Sequence, residues 1–405
     1  MSSPVLVLNS GSSSLKYQLL VPATAEVLAV GSVEKIGEPS GLTTHRTGGE
    51  RFESDHPVAD HAAALAALDD QFATHGPDLD AAGIVAVGHR VVHGGARFSD
   101  PTVVDDAVLE AIRDLSPLAP LHNPGAVAGI EAARQRFADV PHVAVFDTAF
   151  FTTLSPAAYT YAIPADVAEQ HRIRRYGMHG TSHQYVSQLV AATLGRDPAE
   201  LNQIVLHLGN GCSASAVRGG VAIDTSMGLT PLQGLVMGTR SGDVDPSLHS
   251  FLHRQTGATI DEIDTLLNKQ SGIKGLSGVN DFRELEALRA GGDAGAQLAF
   301  DVYVHRLKHY LGAYLVQLGR LDALTFTAGV GENTATVRAA TVAGLEGLGI
   351  ELDPALNEAP SREARVISAA SSTTAVLVVP TNEELAIGRQ ALAVLDADPL
   401  SSPQS

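Results

Sequence analysis

Five short stretches of the sequence place single charged residues or histidines among glycine, hydroxyl and amide residues. They are NSGSSSLK (9–16), GHRVVHGG (88–95), RYGMHGTSH (175–183), HLGNG (207–211) and TAGVGEN (327–333). Glycine lets backbone N–H groups approach phosphate oxygens closely, and side-chain hydroxyls add further donors. None of the five matches the Gly-Lys-Ser/Thr phosphate loop or the glycine fingerprint of dinucleotide-binding folds. One such stretch is typical of a turn, but five in one chain predict loops that bind a polyphosphate.

The first stretch joins two apolar segments through SGSSS (10–14) and carries the only local cation, Lys16. Two structures fit this pattern: an ordinary hairpin with a polar turn, or a loop that receives an anion. The number of donors and the glycine favour the second. We therefore predict a phosphate loop from Asn9 to Lys16.

Arg90 and Arg240 are the cations best suited to an anionic substrate. Arg90 lies within the apolar segment VAVGHRVV, where an unpaired charge would be costly. A guanidinium can hold a carboxylate through two hydrogen bonds, so Arg90 is a candidate carboxylate clamp; the alternative is a buried structural ion pair. Arg240 lies in the glycine-flanked stretch MGTRSGD and can point into a cleft; the alternative is a salt bridge to Asp243 or Asp245.

His179 precedes the helix-like pattern GTSHQYVSQLVAATLG. Thr181 or Ser182 is predicted to cap this helix and Gly195 to end it. His179 would then lie near the positive helix end, where it could face a phosphoryl group. The spacing of His179 and His183 also fits zinc binding, but a glycine stands where a zinc protease carries its catalytic glutamate, which disfavours a zinc site.

Strand-like and helix-like segments alternate along the chain, which predicts an α/β fold. GIVAVGHRVV and HVAVFDTAFF are predicted strands. Asp147, at the carboxyl end of the second, lies where α/β sheets place functional residues. Asp105 is predicted to cap the helix that follows it, and Asn123 to cap the next helix with Pro124 at its first position.

The segment from Ile204 to Gly228 repeats the layout of the first twenty residues. Both contain an apolar strand, a turn of small residues with an asparagine, and a second strand; the later segment adds a Gly-Gly turn and a third strand. This internal repeat predicts two halves of similar design. We predict a first domain over 1–150, a second over 151–395 and a flexible tail at 396–405, with the C-terminal helix packing back on the first domain.

The composition limits the classes of partner. The 405 residues carry a formal net charge of −18, whereas nucleic acids and anionic membranes require a basic face. Cys212 is the single cysteine, which excludes an intrachain disulfide and a cysteine-cluster zinc site. The sequence has no apolar run long enough to cross a bilayer and no secretory signal pattern, so a cytoplasmic protein is expected.

Seven motifs together resemble the acetate kinase family. They are NSGSSSLKYQLL, GHRVVHGG, VFDTAFF, YGMHGTSH, LHLGNGCSASAV, DTSMGLTPLQGLVMGTRSGDVDP and TNEELAI, and the resemblance runs from about Val5 to Gly388. It implies two duplicated actin-like (ribonuclease H-like) α/β domains with an active-site cleft between them. It also implies reversible transfer of the γ-phosphoryl group of ATP to acetate, which gives acetyl phosphate and ADP, with Mg²⁺ (or Mn²⁺ in its place) and in a homodimer.

The resemblance also implies roles for individual residues of this chain. The catalytic residues would be Asp147, His179 and Arg240, and the acyl substrate would contact Arg90, Val92, Leu121, Met178 and Pro231. The metal would be bound by Asn9 and Glu383, and His122 would contact phosphate. The nucleotide and its phosphates would contact Lys16, His207, Leu208, Gly209, Asn210, Gly211, Asp281, Phe282, Arg283, Gly329, Val330, Gly331, Glu332 and Asn333. As an alternative, Asp281, Phe282 and Arg283 only form the turn that opens a helix.

Met178 departs from the family pattern, which has phenylalanine at this position of the acyl pocket. Methionine adapts its shape, so propionate should be accepted better than in a phenylalanine-lined pocket. A propionate or short-chain acyl kinase is therefore the first alternative function. An acetate-type acceptor has a pKa of about 4–5 and needs no general base, so catalysis would depend on positioning and charge.

Two other functions are less favoured. A sugar kinase would need a base for its hydroxyl acceptor and would leave Arg90 and Arg240 unexplained. A nucleotide-driven binding protein of the actin or Hsp70 type would need a polymerising surface or an appended peptide-binding domain, for which the few residues after Gly388 leave no room.

Overall fold

The computed structural model describes residues 3–397. Its strands are β1 (Val5–Ser10), β2 (Ser14–Val21), β3 (Glu26–Glu34), β4 (Leu42–Thr47), β5 (Glu50–Asp55), β6 (Ala86–Val91), β7 (Thr102–Val103), β8 (His142–Phe146), β9 (Asn202–Leu208), β10 (Cys212–Arg218), β11 (Val221–Thr225), β12 (Ala323–Thr327), β13 (Arg365–Val366) and β14 (Ala375–Val378).

The α-helices are α1 (His61–His75), α2 (Asp106–Asp114), α3 (Asn123–Arg136), α4 (Pro156–Tyr159), α5 (Ala165–Gln170), α6 (Gly180–Leu194), α7 (Leu248–Thr256), α8 (Ile260–Lys269), α9 (Gly272–Ser277), α10 (Phe282–Ala290), α11 (Ala294–Leu318), α12 (Ala328–Asn333), α13 (Ala335–Val342), α14 (Pro354–Glu358) and α15 (Glu383–Ala397). Short 3₁₀ helices lie at Ser116–Leu118, Ala149–Phe151, Pro198–Glu200 and Glu346–Leu348. In the described part of the chain, none of the helices has the length and apolar character needed to cross a membrane.

The described residues form two compact units. The first contains residues 3–152 and 382–397, and the second contains residues 153–381. The chain returns to the first unit with its last helix, α15, which packs on β1, β6 and β8. Asp396 and Ala397, predicted as the start of a flexible tail, are the last residues of α15, and the rest of that predicted tail lies outside the described residues.

The first unit is built on one mixed sheet with the strand order β5-β4-β3-β2-β1-β6-β8-β7. β1, β2 and β3 run antiparallel, whereas β6 runs parallel to β1 and β8 parallel to β6. Leu6, Leu8 and Val87 of this sheet form an apolar core with Leu68 and Phe72 of α1.

The second unit repeats this arrangement. Its sheet has the order β11-β10-β9-β12-β14-β13, in which β9, β10 and β11 are antiparallel, β12 is parallel to β9 and β14 is parallel to β12. Five strands of each unit therefore follow the same path: three antiparallel strands and then two parallel ones. The internal repeat predicted from the two glycine-containing hairpins is confirmed.

Gly88 allows α15 to lie close against one face of the first sheet. A Cβ atom at Gly88 would lie 2.7 Å from a side-chain carbon of Ile387 and 3.7 Å from Val7, so these residues share the α15 face. Asn9 and Arg90 follow Val7 and Gly88 by two positions, and side chains two apart on a strand lie on the same face. The sheet therefore directs Asn9 and Arg90 toward the side where α15 lies.

Asp105 caps α2 as predicted, because its side chain accepts a hydrogen bond from the Val108 N–H. The prediction that Asn123 caps α3 is wrong, since His122 is the cap residue. The Asn123 side chain instead bonds both backbone groups of His93, accepting from its N–H at 3.2 Å and donating to its carbonyl at 2.9 Å. These bonds hold the segment that follows β6 in place. An Asn123 side chain that capped α3 would not make them.

The prediction that Thr181 or Ser182 caps α6 is also wrong. The helix begins at Gly180, and its cap is His179, whose backbone is left-handed with φ 62°. Ser182 lies in the first turn, and its hydroxyl pairs with His207 Nδ1 at 2.8 Å instead of with a backbone N–H. Gly195 ends α6 in the left-handed conformation, as predicted.

His89 and His142 form a buried pair between β6 and β8. His89 Nε2 and His142 Nδ1 are 2.8 Å apart, and the two rings are stacked with their centroids 5.1 Å apart. Burial lowers the pKa of His142 to about 4 and holds the pKa of His89 well below its ordinary value. Both rings are therefore neutral in the folded protein at neutral pH.

We expect the free energy of unfolding to fall as the pH decreases from 6.5 to about 4. In this range the unfolded chain binds protons at these histidines and the folded chain does not. Each ring therefore lowers the free energy of unfolding by up to about 1.4 kcal/mol for each pH unit. Urea midpoints measured between pH 7.5 and 4.5 test this. His142→Gln should reduce the slope, whereas His171→Gln, at an exposed histidine, should not. Equal slopes in the wild type and His142→Gln would contradict the prediction.

Candidate active site

The first unit brings Arg90, Asp147 and Glu383 together. Asp147 directly follows β8, and its carboxylate accepts hydrogen bonds from Nε and Nη2 of Arg90 at 3.1 and 2.6 Å. Glu383 is the first residue of α15, and its Oε2 lies 3.3 Å from Arg90 Nε. Asp147 is fully buried, and the other two side chains are less than one-fifth exposed. The alternative of a buried ion pair for Arg90 is thus observed, and both partners are themselves predicted site residues.

Burial and charge oppose each other in this cluster. Burial raises the pKa of the Glu383 carboxyl above its usual value, although the charges of Arg90 and Lys16 act in the other direction. Burial by itself would lower the pKa of Arg90, but Asp147 and Glu383 raise it above its ordinary value. The single positive charge of Arg90 thus faces two carboxylates, so the cluster has room in its charge balance for a further cation.

Asn9 and Lys16 lie directly opposite each other on β1 and β2. Both line a cavity of about 310 Å³ together with Glu384. The turn between them is a tight hairpin in which the Gly11 N–H donates to the Ser14 carbonyl at 2.7 Å. The stretch NSGSSSLK (9–16) therefore forms a hairpin, and its role as a phosphate loop stays a prediction.

The donors in this unit suit the Mg²⁺ ion that the resemblance implies. Mg²⁺ in kinases is held by one or two carboxylates together with waters and substrate phosphates. Glu383 provides a carboxylate beside that of Asp147, and Asn9 lies on the same face of the sheet. Within residues 3–397 no group of three or more histidine, cysteine or carboxylate side chains could hold a metal alone. The donors therefore fit an ion that shares its ligands with a phosphate.

In the second unit, α6 covers one face of β9 and β10. His207 lies opposite Ser213, and Val205 lies opposite Ser215, so these four side chains share a face. Val205 packs in the same apolar cluster as Val186 of α6. The polar residues at the start of α6 therefore meet His207 and the two serines.

The predicted site residues His179 and His207 are brought together at this point. Their rings stack with centroids 4.3 Å apart. His179 Nδ1 lies 2.9 Å from Ser213 Oγ, and His207 Nδ1 lies 2.8 Å from Ser182 Oγ. Neither serine was predicted as a site residue, and small residues in a strand and in the first turn of a helix give no signal that could have identified them.

Arg240 lies beside His179. A Cβ atom at Gly211 would lie 3.3 Å from Arg240 Nη1 and 3.4 Å from His179 Cε1, so Gly211 leaves room for both side chains. Arg240 Nη1 also lies 3.4 Å from the Pro231 carbonyl oxygen. The loop 209–211, the cation and the histidine thus form one cluster.

The alternative that Arg240 forms a salt bridge to Asp243 or Asp245 is wrong. Asp243 instead pairs with Arg306 at 3.1 Å and accepts a hydrogen bond from Tyr310 at 2.6 Å. Burial lowers the pKa of Arg240 from its ordinary value. Among the side chains of residues 3–397, no carboxylate lies within ion-pair distance of Arg240, and such a guanidinium is well suited to an anionic ligand.

Tyr161 supports this cluster and was missed by the sequence analysis. Its hydroxyl accepts a hydrogen bond from the Leu229 N–H at 3.0 Å and donates to Gln233 Oε1 at 2.6 Å. It therefore ties together the two sides of the turn that carries Pro231, which in turn meets Arg240. A lone tyrosine far away in the sequence gives no signal of such a role.

A cavity of about 690 Å³ in the second unit collects eight of the predicted nucleotide residues. They are Gly209, Asn210, Asp281, Phe282, Arg283, Gly329, Val330 and Asn333. Gly238, Asn280 and Thr334 also line the cavity and were not predicted. Ligand sites have volumes of about 300–1,000 Å³, so the cavity has room for a nucleoside.

Asp281 has two roles at this cavity. Its side chain caps α10, and it also pairs with the exposed Arg283, whose Nη2 lies 2.5 Å from Asp281 Oδ2. The alternative in which these residues open a helix is therefore observed, together with their place in the cavity wall.

The remaining predicted nucleotide residues of the second unit lie elsewhere. Leu208 is fully buried on β9, and Gly331 packs against the backbone of Phe326. The Glu332 carboxylate accepts a hydrogen bond from the Thr381 N–H at 3.1 Å, and burial raises the pKa of Glu332. These residues support the walls of the site, whereas His207 and Gly211 belong to the Arg240 cluster.

The four residues predicted to line the acyl pocket are divided between the two units. Val92, which is half-buried, and Leu121, which is 55% exposed, belong to the first unit. Met178, which is buried, and Pro231, which is half-buried, belong to the second. The acyl pocket therefore stays a prediction.

Comparisons with known proteins agree with this architecture. The chain matches the model of the acetokinase family over residues 4–389. It is 59% identical to an acetate kinase of Clavibacter michiganensis subsp. michiganensis over 389 residues, which cover 96% of this chain and 98% of the relative. The crystal structure of Porphyromonas gingivalis acetate kinase is 42% identical with a TM-score of 0.93, and the match covers 97% of this chain and 100% of that one. A propionate kinase from Francisella tularensis subsp. tularensis SCHU S4 is 41% identical with a TM-score of 0.91, covering 96% and 99%.

The two sheets with their shared strand path and the close structural matches define an α/β protein of the duplicated actin-like class. The fold class predicted from the sequence is confirmed. The chain belongs to the acetokinase family.

Proposed function

We propose that the protein catalyses the acetate kinase reaction, the reversible transfer of the γ-phosphoryl group of ATP to acetate to give acetyl phosphate and ADP. This proposal rests on the position of Arg240 and His179 beside Gly211. Gly209 and Asn210, which directly precede Gly211, line the nucleotide cavity. A nucleotide held there would extend its terminal phosphates toward Arg240 and His179.

Positive charge is what phosphoryl transfer to a carboxylate requires of the protein. The acceptor is already ionised, so the barrier lies in bringing two anions together and in stabilising the charge of the transferring group. Arg240 provides a guanidinium without a carboxylate partner among residues 3–397, and His179 provides a ring nitrogen at the same point.

Arg90 is the proposed clamp for the carboxylate of the acceptor. Asp147 occupies the edge formed by Nε and Nη2, which leaves the Nη1 side for a substrate. Glu383, Asn9 and Asp147 would hold Mg²⁺. When bound, the ion would neutralise charge on the phosphates.

Formation of acyl phosphate tests the proposal. The protein is incubated with Mg-ATP and acetate, propionate or butyrate, and the product is trapped as hydroxamate. Acetate should give the highest kcat/KM. A higher kcat/KM for propionate or butyrate would change the substrate but keep the reaction class, and the lack of any acyl phosphate would contradict the proposal.

Met178→Phe is expected to lower the ratio of kcat/KM for propionate to that for acetate. A rigid ring fills the space into which methionine can yield, and one methylene in such a pocket is worth about 1–3 kcal/mol. Met178→Leu, which keeps a flexible side chain of similar size, should change the ratio less. Parallel kinetics with both acids measure the effect, and an unchanged ratio in Met178→Phe would show that Met178 does not line the acyl pocket.

Four further expectations stay predictions. They are the use of Mg²⁺ with Mn²⁺ as a substitute, assembly as a homodimer, a cytoplasmic location and an active-site cleft between two domains.

A further inference from the structure

We propose that Ser215, His183 and Ser213 form a hydrogen-bonded relay that sets the tautomer of His179, so that its Nε2–H is presented to the transferring phosphoryl group. The inference rests on the proposed function for the role of His179. The relay itself is a statement about hydrogen positions and can be tested without any substrate. In this view, Ser213, His183 and Ser215 are positioning residues.

Three consecutive short contacts link these side chains. Ser215 Oγ lies 2.7 Å from His183 Nδ1, and His183 Nε2 lies 2.7 Å from Ser213 Oγ. Ser213 Oγ lies 2.9 Å from His179 Nδ1. Each distance is within the range of a good hydrogen bond, so the four side chains form one chain from the interior to the site.

The relay occupies positions where an apolar core would be expected. Ser213 and Ser215 are two residues apart on β10 and face α6, and both are fully buried, as is His183. Next to them on the same face of the sheet, Val205 packs with Val186 and Val190 in an apolar cluster. Burying polar groups costs free energy unless they are hydrogen-bonded. A packing role alone would be filled better by alanine or valine.

The hydroxyl of Ser215 determines which atom donates in each hydrogen bond of the relay. In the described part of the chain, the one hydrogen bond of the Ser215 hydroxyl is with His183 Nδ1. A buried hydroxyl proton needs an acceptor, so Ser215 donates to Nδ1. Burial also lowers the pKa of His183 well below its ordinary value, so this ring is neutral and carries its single proton on Nε2.

The remaining protons are then determined in order. His183 Nε2–H donates to Ser213 Oγ, and the Ser213 hydroxyl donates to His179 Nδ1. A His179 ring that holds a single proton therefore carries it on Nε2. That nitrogen lies 3.6 Å from the position of a Cβ atom at Gly211, beside Arg240 Nη1. The opposite tautomer would present a lone pair to a phosphoryl anion, which is repulsive.

Nitrogen-15 NMR of the protein labelled in histidine tests the relay directly. Spectra are recorded at pH 8 without ligands, and the His179 signals are assigned by their loss in His179→Gln. The wild type should show His179 protonated on Nε2, and Ser213→Ala should move the ring toward a mixture of tautomers. Ser187→Ala is the control, because Ser187 is buried on the same helix and donates to the carbonyl of Gln184. It should leave the His179 signals unchanged.

Kinetics of the same variants give the second readout. At metal sites, loss of the group that orients a histidine ring costs about 10–100-fold. We expect kcat to fall by a similar factor in Ser213→Ala and by less in Ser215→Ala. KM for ATP and for acetate should change little, and Ser187→Ala should retain wild-type kinetics.

A His179 ring that keeps its Nε2 proton in Ser213→Ala would overturn the relay, and a wild-type kcat in that variant would overturn the claim that the relay presents Nε2–H to the phosphoryl group. The proposed function would fail separately. If Ser213→Ala changes the tautomer but the wild type forms no acyl phosphate, then the hydrogen-bond relay stands and the role assigned to His179 in phosphoryl transfer is wrong.

Discussion

Arg240→Ala is expected to lower kcat for acetyl phosphate formation by about 10³-fold or more, the effect typical of a guanidinium that stabilises a transferring phosphoryl group. Arg240 is buried enough that its pKa falls below the ordinary value. Within residues 3–397 no carboxylate pairs with it, so its charge is available to a ligand. A low-polarity site strengthens the interaction of such a charge with the transition state.

The hydroxamate assay with acetate measures this effect. Arg240→Lys is the matched control for charge: it keeps the cation and loses the planar fork, so it should retain part of the activity. The melting temperature of Arg240→Ala should not fall, because the variant removes a half-buried charge without an ionic partner. A kcat for Arg240→Ala within tenfold of the wild type would show that Arg240 does not contact the transferring group.

Asp147→Asn is expected to have the second largest effect, on both stability and activity. Asp147 is fully buried and accepts hydrogen bonds from two nitrogens of Arg90. Breaking a buried pair by neutralising one partner costs about 3–5 kcal/mol, and Glu383, which also contacts Arg90, should keep the loss near the lower end. Because Arg90 then loses the contact that orients it, KM for acetate should rise and kcat should fall by about 10²-fold.

A second readout follows from the charge of Asp147. Burial is the largest cause of the raised pKa of Glu383, and the charge of Arg90 acts against it. The negative charge of Asp147 raises this pKa further. Neutralising Asp147 should therefore shift the acidic limb of the pH–rate profile to lower pH, if Glu383 must be ionised for activity. Asp69→Asn is the control, since Asp69 pairs with Arg136 at 2.7 Å in the same unit but outside the cluster. It should change stability slightly and leave the kinetics unaltered; equal effects of the two variants would contradict a special role for Asp147.

Features that depend on neighbouring residues were predicted well. The two hairpins, the Asp105 cap, the Gly195 helix end and the place of Asp147 after a strand all follow from patterns a few residues long. The caps at Asn123 and at Thr181 or Ser182 were wrong. The side chains of Asn123 and Ser182 bond partners distant in sequence, at His93 and His207. A local capping rule cannot anticipate a partner that another strand supplies.

The sequence by itself determined the α/β class, the internal repeat, the family and most of the residues that line the cavity of about 690 Å³ in the second unit. These are properties of hydrophobic periodicity, of glycine-containing turns and of motifs that are contiguous in the chain.

Only the tertiary structure decided how the functional side chains are held. Three arrangements join residues that are remote in sequence. They are the pairing of Arg90 with Asp147 and Glu383, the support of the Pro231 turn by Tyr161, and the relay through Ser213 and His183. Strand register and the alternation of faces bring these side chains within about 3 Å, and a shift of one residue would turn them to the opposite face of the sheet.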